Sequence, residues 1–267
     1  VELSEVLDHR PTDAEDWPCG ACFADLDLDG DFDLVVSAHH APARNHVYLN
    51  DGLEAGVPRF RDVTAAVGLD DEVPVKCPHV EVQDFDNDGW PDLFFSAGWR
   101  EPDGSTMPLI FRNEGLHDGL PRFRPPRPIQ PPMVYYPAAP SADFDRDGRL
   151  DLFLTNWFPD DHSHLLRNTS PIRHWLDVRI VGLSINRMGI GTRIEIYREG
   201  HPGEEAHLLG LREIATGYGY ASGQPAVAHF GVGGNTQVDL RSILPNGQTL
   251  ERRSVRTDQV VVLKEEP

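Results

Sequence analysis

The sequence predicts an all-β chain containing about three propeller-type blades. Two observations carry this expectation. An acidic stretch returns at a fixed interval of 59 residues, as ADLDLDGDFDLVVS at 24–37, QDFDNDGWPDLFFS at 83–96 and ADFDRDGRLDLFLT at 142–155. Each copy is also flanked by short runs of β-forming residues, separated by Gly, Pro, Asn and Asp turns.

Taken in chain order, each unit opens on a strand-like run, PCGACFA, CPHVEVQ or YPAAPSA, and the acidic loop and a second apolar run follow. The third run, HVYLNDG, LIFRNEG or HLLRNTS, places Asn50, Asn113 or Asn168 where the strand meets its turn. PRFRDV at 58–63 and PRFRPP at 121–126 supply a fourth run in the first two units. The third unit lacks one, because Asn168 runs within a few residues into HWLDV. VELSEVL at the start of the chain is the expected substitute, an outer strand donated from the other end to fasten this ring or a partner's. Uncovered blade edges invite pairing, so either the C-terminal domain covers them or two chains associate, and of the two a homodimer is the expectation.

Five aspartates within nine residues repel one another unless something neutralises them. The pattern D-x-D-x-D-G-x-x-D provides for this: a tight wrap aims the carboxylates of positions 1, 3, 5 and 9 at one point, with a backbone carbonyl from position 7. The glycine at position 6 permits the bend. The expected ligands are Asp25, Asp27, Asp29 and Asp33, then Asp84, Asp86, Asp88 and Asp92, then Asp143, Asp145, Asp147 and Asp151. Asp31, Trp90 and Arg149 hold the carbonyl position, and Asp31 adds a further carboxylate to the first loop. Hard oxygen donors in this number suit Ca²⁺ better than Mg²⁺, which demands stricter geometry. An EF-hand is excluded, because its position 12 requires Glu and these loops carry Val36, Phe95 and Leu154 there.

Composition narrows the function classes. The net charge of −19 leaves no clustered basic face for nucleic acid. Three bound Ca²⁺ would reduce it to −13. No apolar run approaches the roughly 20 residues of a membrane helix. Three cysteines do not make a disulfide scaffold. The chain opens at Val1 without a signal-peptide pattern, as a trimmed or a processed secreted chain would. Asn168-Thr169-Ser170 is a glycosylation triplet of a kind that chance often produces.

The acidic repeats resemble the FG-GAP, or VCBS-type, repeats of calcium-binding β-propellers such as the integrin α-subunit head. HWLDVRIVG at 174–182, NRMGIGTRIEI at 186–196, HFGVG at 229–233, ILPNGQ at 243–248 and DQVVVLKE at 258–265 look like the ASPIC/UnbV domain. That domain follows such repeats in the cartilage acidic protein family and in related bacterial proteins. The resemblance implies calcium-binding repeats over 1–170 and a small β-sandwich-like domain over 171–267. It further implies an extracellular interaction role and no particular activity, and the first expectation is a module that binds a protein, glycan or small-molecule ligand on its loop face. Bacterial relatives also sit in biosynthetic gene clusters, including those for enediynes. The alternative is therefore a cytoplasmic, calcium-stabilised enzyme of secondary metabolism, of cyclase or isomerase type, acting on a polyketide or terpenoid.

Strands preceding the acidic loops line a propeller's axis, so their polar residues are pocket candidates. These are His79 and Glu81 on one strand face, Cys22 at the position matching Glu81, and Tyr135 and Tyr136 ahead of the third loop. In the enzyme reading His79 or Glu81 serves as acid or base. Cys19-Gly20-Ala21-Cys22 matches a C-x-x-C half-site, but on a strand residues three apart face opposite sides. His39, His40, His162 and His164 fall in loops between blades. GYGYASG at 217–223 and GVGG at 231–234 read as turns of a β domain, since neither opens a helix. No nucleophile elbow and no H-E-x-x-H is present.

Overall fold

The computed structural model describes residues 18–39, 45–69, 77–100, 106–124, 127–128, 136–160 and 162–267. The expected N-terminal outer strand, His40 and Tyr135 lie outside the described residues.

The first blade is a four-stranded antiparallel sheet of β1 (Pro18–Ala24), β2 (Asp33–Ala38), β3 (His46–Glu54) and β4 (Val57–Asp62), in that order. The second uses β5 (Val80–Gln83), β6 (Asp92–Arg100), β7 (Thr106–Phe111), β8 (Asn113–His117), β9 (Leu120–Phe123) and β10 (Arg127–Pro128). Here the structure departs from expectation. The PRFR run of β9 pairs with β8 as a separate ribbon, and β10 takes the fourth place in the sheet β10-β7-β6-β5. In the third blade the described strands are β11 (Ser141–Ala142), β12 (Asp151–Leu154) and β13 (His164–Leu166).

Period-two alternation sends one set of side chains forward to the next blade and the other back. Leu26, Val35 and Val47 of blade one share a buried cluster with Val80, Leu93 and Phe95 of blade two. One interval later, Phe85 and Phe94 of blade two share a cluster with Leu150, Leu152, Leu154 and Tyr136 around blade three. On blade three the corresponding forward positions are Phe144, Phe153 and Leu165, and they are 50%, 36% and 59% exposed.

The C-terminal part begins at β14 (His174–Val181) and continues through β15 (Arg193–Arg198), a 3₁₀ turn at Glu205–His207 and β16 (Leu208–Glu213). A hairpin of β17 (Gly217–Tyr218) and β18 (Ser222–Gly223) follows, then β19 (Ala228–Gly233), β20 (Gln237–Ile243), β21 (Thr249–Arg256) and β22 (Gln259–Lys264). Two sheets, β19-β14-β22 and β16-β15-β20-β21, enclose a core that includes Leu176, Ile194, Ile196, Phe230 and Leu240. β14 and β22 run parallel, so the end of the chain is locked beside the first strand of this domain.

Candidate metal centres

The three acidic loops fold identically. In each, the position 1 carboxylate accepts from the backbone N–H groups of positions 5 and 6, for Asp25 at 3.2 and 3.1 Å, Asp84 at 3.1 and 2.7 Å and Asp143 at 3.1 and 2.9 Å. The position 5 carboxylate accepts from the N–H of position 7, namely Asp31, Trp90 or Arg149. Position 9 ties the loop to the sheet. Asp33, Asp92 and Asp151 each accept from position 2 with one oxygen and from the N–H of Asn50, Asn113 or Asn168 with the other.

The wrap requires positive φ twice, at position 4 (Leu28 60°, Asn87 57°, Arg146 62°) and at the position 6 glycine (Gly30 90°, Gly89 100°, Gly148 84°). Glycine carries no Cβ penalty there. The result is convergence: single oxygens of Asp25, Asp27 and Asp29 lie within 4.8 Å of one another, as do those of Asp84, Asp86 and Asp92 and those of Asp143, Asp145 and Asp151. Of the expected ligands, Asp31 and Asp33 lie outside the first of these groups, Asp88 outside the second and Asp147 outside the third. The indole of Trp90 lies against Gly115.

Electrostatically the loops differ. In loop one, burial, with Asp27 and Asp29 close by, pushes Asp25 up to about 7. Burial likewise raises Asp33 to about 8 and Asp27 to about 6. Loop two is similar at Asp84, raised by burial and Asp88 to about 7, while Asp92 is pushed well above the usual carboxylate range. Arg112 and Arg173 reach Asp86 from outside the loop. Loop three is the most neutralised: Arg149 and Arg167 bond Asp147, and Arg149 holds it down at about 2. These arginines were not visible as counter-charges in the sequence, since Arg112 and Arg167 come from the third run of each unit.

Buried Asp27 Oδ1 and Asp86 Oδ1 have no hydrogen-bond partner among the described residues. A buried anionic oxygen without a partner is costly, and a cation at the point of convergence would relieve it. The donor set is all oxygen, so the loops fit Ca²⁺.

The described axial candidates, His79, Glu81, Cys22 and Tyr136, are all buried. His79 and Glu81 are both 0% exposed, with His79 Nε2 3.7 Å from Glu81 Oε2. Ser141 Oγ donates to Glu81 Oε1 at 2.7 Å. The β17–β18 hairpin covers this region: Gly219 N–H donates to Ala21 O at 3.2 Å, and Tyr220 N–H donates to His79 Nδ1 at 3.2 Å. GYGYASG is therefore a plug for the axial strands. Tyr136 is a core residue between blades two and three. Cys22 is buried, and burial with nearby Glu81 pushes its thiol up to about 12, the opposite of what a redox nucleophile needs. Cys77 is buried as well, and Cys19 is half-buried. The ring of His39 lies 6.4 Å from that of Tyr220, His164 lies on β13, and His162 is exposed. The Asn168 amide donates to Phe85 O and Leu150 O, so this side chain is engaged within the fold.

The loop face is not free either, because the C-terminal domain sits on it. Gly233 N–H donates to Asn87 O at 3.0 Å, and Arg193 Nη2 donates to Gly30 O at 2.6 Å. His229 bridges Asp177 (2.8 Å) and Asn87 Oδ1 (2.9 Å), and Asn87 Nδ2 donates to Gly148 O at 2.7 Å. A Cβ on Gly231 would overlap the Asp84 carboxylate and the Asn87 backbone. The GVGG run thus serves close approach to loop two, a role that its spacing alone did not reveal.

Comparison with known proteins agrees with this architecture. An FG-GAP-like repeat matches residues 25–95 and again 84–154, and the ASPIC and UnbV family matches 182–267. Cartilage acidic protein 1 of Xenopus tropicalis is 28% identical over 236 residues, covering 87% of this chain and 34% of that protein. The proteins of the same name from Mus musculus and Homo sapiens are 27% and 26% identical over 90% and 92% of this chain, and 35% of each. The chain spans about a third of the length of these curated relatives.

Proposed function

We propose that this chain, in which FG-GAP-like repeats run into an ASPIC/UnbV domain, is a calcium-stabilised module for protein interaction outside the cell. The observation that supports the calcium reading is the threefold carboxylate wrap whose buried oxygens Asp27 Oδ1 and Asp86 Oδ1 lack partners. Asp25, Asp27, Asp29 and Asp33 hold the first ion, Asp84, Asp86, Asp88 and Asp92 the second, and Asp143, Asp145, Asp147 and Asp151 the third. Asp31, Trp90 and Arg149 add their carbonyls. The ion supplies charge neutralisation, and the loops supply its oxygen shell.

The proposed partner surface is the forward face of blade three. Phe144, Phe153 and Leu165 stand exposed there, while the equivalent residues of blades one and two are covered by the following blade. A second copy of this chain or another blade-like protein fits that face. Metal analysis of unchelated protein, with light scattering before and after Phe153→Glu, tests both parts. Three Ca²⁺ per chain and loss of self-association or partner capture on substitution are expected; no metal, or unchanged association, refutes the corresponding part.

One observation favours a ligand-binding reading in addition. A cavity of about 430 Å³ lies between blade three and the C-terminal domain, lined by Arg146, Arg179, Arg212, Trp175 and Tyr218 among others. The three arginines share the lining with Asp143 and Asp177 and have no ion pair among the described residues, so the surplus positive charge suits a small anionic ligand rather than acid–base work by His79. Arg212→Ala should abolish binding of any carboxylate found there by ligand screening.

A further inference from the structure

We propose that His201, Glu204 and His207 form a Zn²⁺ site in the C-terminal domain, separate in chemistry from the acidic loops. The residues follow H-x-x-E-x-x-H, a period of three. That period matches the local backbone. Glu204 N–H donates to His201 O at 3.3 Å and His207 N–H to Glu204 O at 2.8 Å, two successive i to i+3 bonds. The second bond closes the 3₁₀ turn Glu205–His207, whose N-cap is Glu204 in extended conformation (φ −93°, ψ 107°), and the first closes the turn before it. The turn is anchored at its entry, where Gly200 N–H donates to Asp239 Oδ2 at 2.9 Å and His201 N–H to Arg198 O at 3.1 Å.

The donor atoms are already close. One donor atom from each residue lies within 4.8 Å of the others. His201 Nδ1 is 3.1 Å and His207 Nε2 is 3.8 Å from Glu204 Oε2, and the two imidazoles stack 3.7 Å apart. Bonds of 2.0–2.2 Å in a tetrahedral site separate ligand atoms by about 3.3 Å, so small side-chain adjustments admit the ion. His207 Nδ1 is buried without a hydrogen-bond partner among the described residues. No backbone acceptor therefore commits that ring to another role.

Ligand type decides the metal. Two imidazoles and one carboxylate suit Zn²⁺, whereas Ca²⁺ takes oxygen donors. Three protein ligands leave the fourth tetrahedral position to water. Glu205, the neighbour of Glu204, instead faces loop one, where it raises Asp29. The two kinds of site adjoin without sharing a ligand.

The test uses the full chain saturated with Ca²⁺, so that the acidic loops are occupied, and titrates it with Zn²⁺ by calorimetry. One equivalent is expected, and His201→Ala/His207→Ala should weaken it by more than the 10–100-fold typical of an outer-shell loss. Co²⁺ should give the intense visible absorption of a four-coordinate site in wild type and none in the double variant. A variant of unchanged circular dichroism that still takes Zn²⁺ as wild type does, or a wild type with no uptake, overturns the proposal.

Discussion

The side-chain amide of Asn113 donates a 3.0 Å hydrogen bond to the main-chain carbonyl of Leu26, 87 residues earlier in the chain. One interval on, Asn168 makes the same bond to Phe85 O at 2.6 Å. Each asparagine also caps its own turn, Asn113 Oδ1 accepting from Gly115 N–H. Blade is thus tied to blade through the residue that follows the loop's first aspartate. Asn113→Ala strands both partners and should cost about 1–3 kcal/mol in urea unfolding. Asn50, which donates to Phe32 O within its own blade, should cost less on the same substitution. Equal losses at 50 and 113 would contradict the cross-blade tie.

Chelation should lower the melting temperature sharply. A ligand that binds only the folded state stabilises by about 2.7 kcal/mol per site at a hundredfold excess over its Kd. Three such sites match a large share of a domain's roughly 5–15 kcal/mol. Scanning calorimetry with and without EDTA checks this.

Asp27→Ala should change sign with calcium. Loaded protein loses a ligand and a large part of its affinity at loop one. Chelated protein loses a buried carboxylate whose protonated form is favoured by burial and by Asp29, so it should gain stability. Destabilisation under both conditions would show that Asp27 acts by packing rather than by charge.

The chelated protein should be more stable in mild acid than in mild base. Asp25 and Asp33 have ordinary values of 3.8 and folded values of about 7 and 8, so between these limits the folded state binds more protons than the unfolded state. Stability then falls as pH rises through the window. Calcium should reverse the trend, because it competes with the same protons. Melting curves at about pH 5.5 and about pH 8, with and without EDTA, read the sign directly.

Gly231→Ala should push the C-terminal domain off loop two, since its new methyl meets the Asp84 carboxylate. Overpacking of this kind costs about 1–3 kcal/mol. Because Asp84 is also a proposed ligand, calcium affinity at one of three sites should fall in the same variant, by linkage. Unchanged calorimetric titration would place the ion elsewhere.

The repeat, the acidic wrap and the asparagine positions were legible in the sequence, because local periodicity and turn chemistry set them. What Asn113 and Asn168 bond to was not, since those partners lie in the preceding blade. The burial of the axial strands was hidden for a similar reason. His79 and Glu81 read as pocket residues on their strand, but the hairpin that buries them arrives from residues 217–223. The loop face likewise reads as open in sequence, whereas Gly231 and Gly233 lie against Asn87 and cover it. Such docking is decided by tertiary shape, and one strand's pattern carries no trace of it.

Phe144 and Phe153 keep in the third blade the residue type that Phe85 and Phe94 carry in the second, with no polar end-cap substituted. An assembly that covers them by the existing rule joins unlike surfaces head to tail. It has polarity, because each contact sets a forward face on a backward face rather than on its own kind. Copies joined this way either meet end to end as a closed circle, whose size is fixed by the angle between successive sheets, or continue as a fibre.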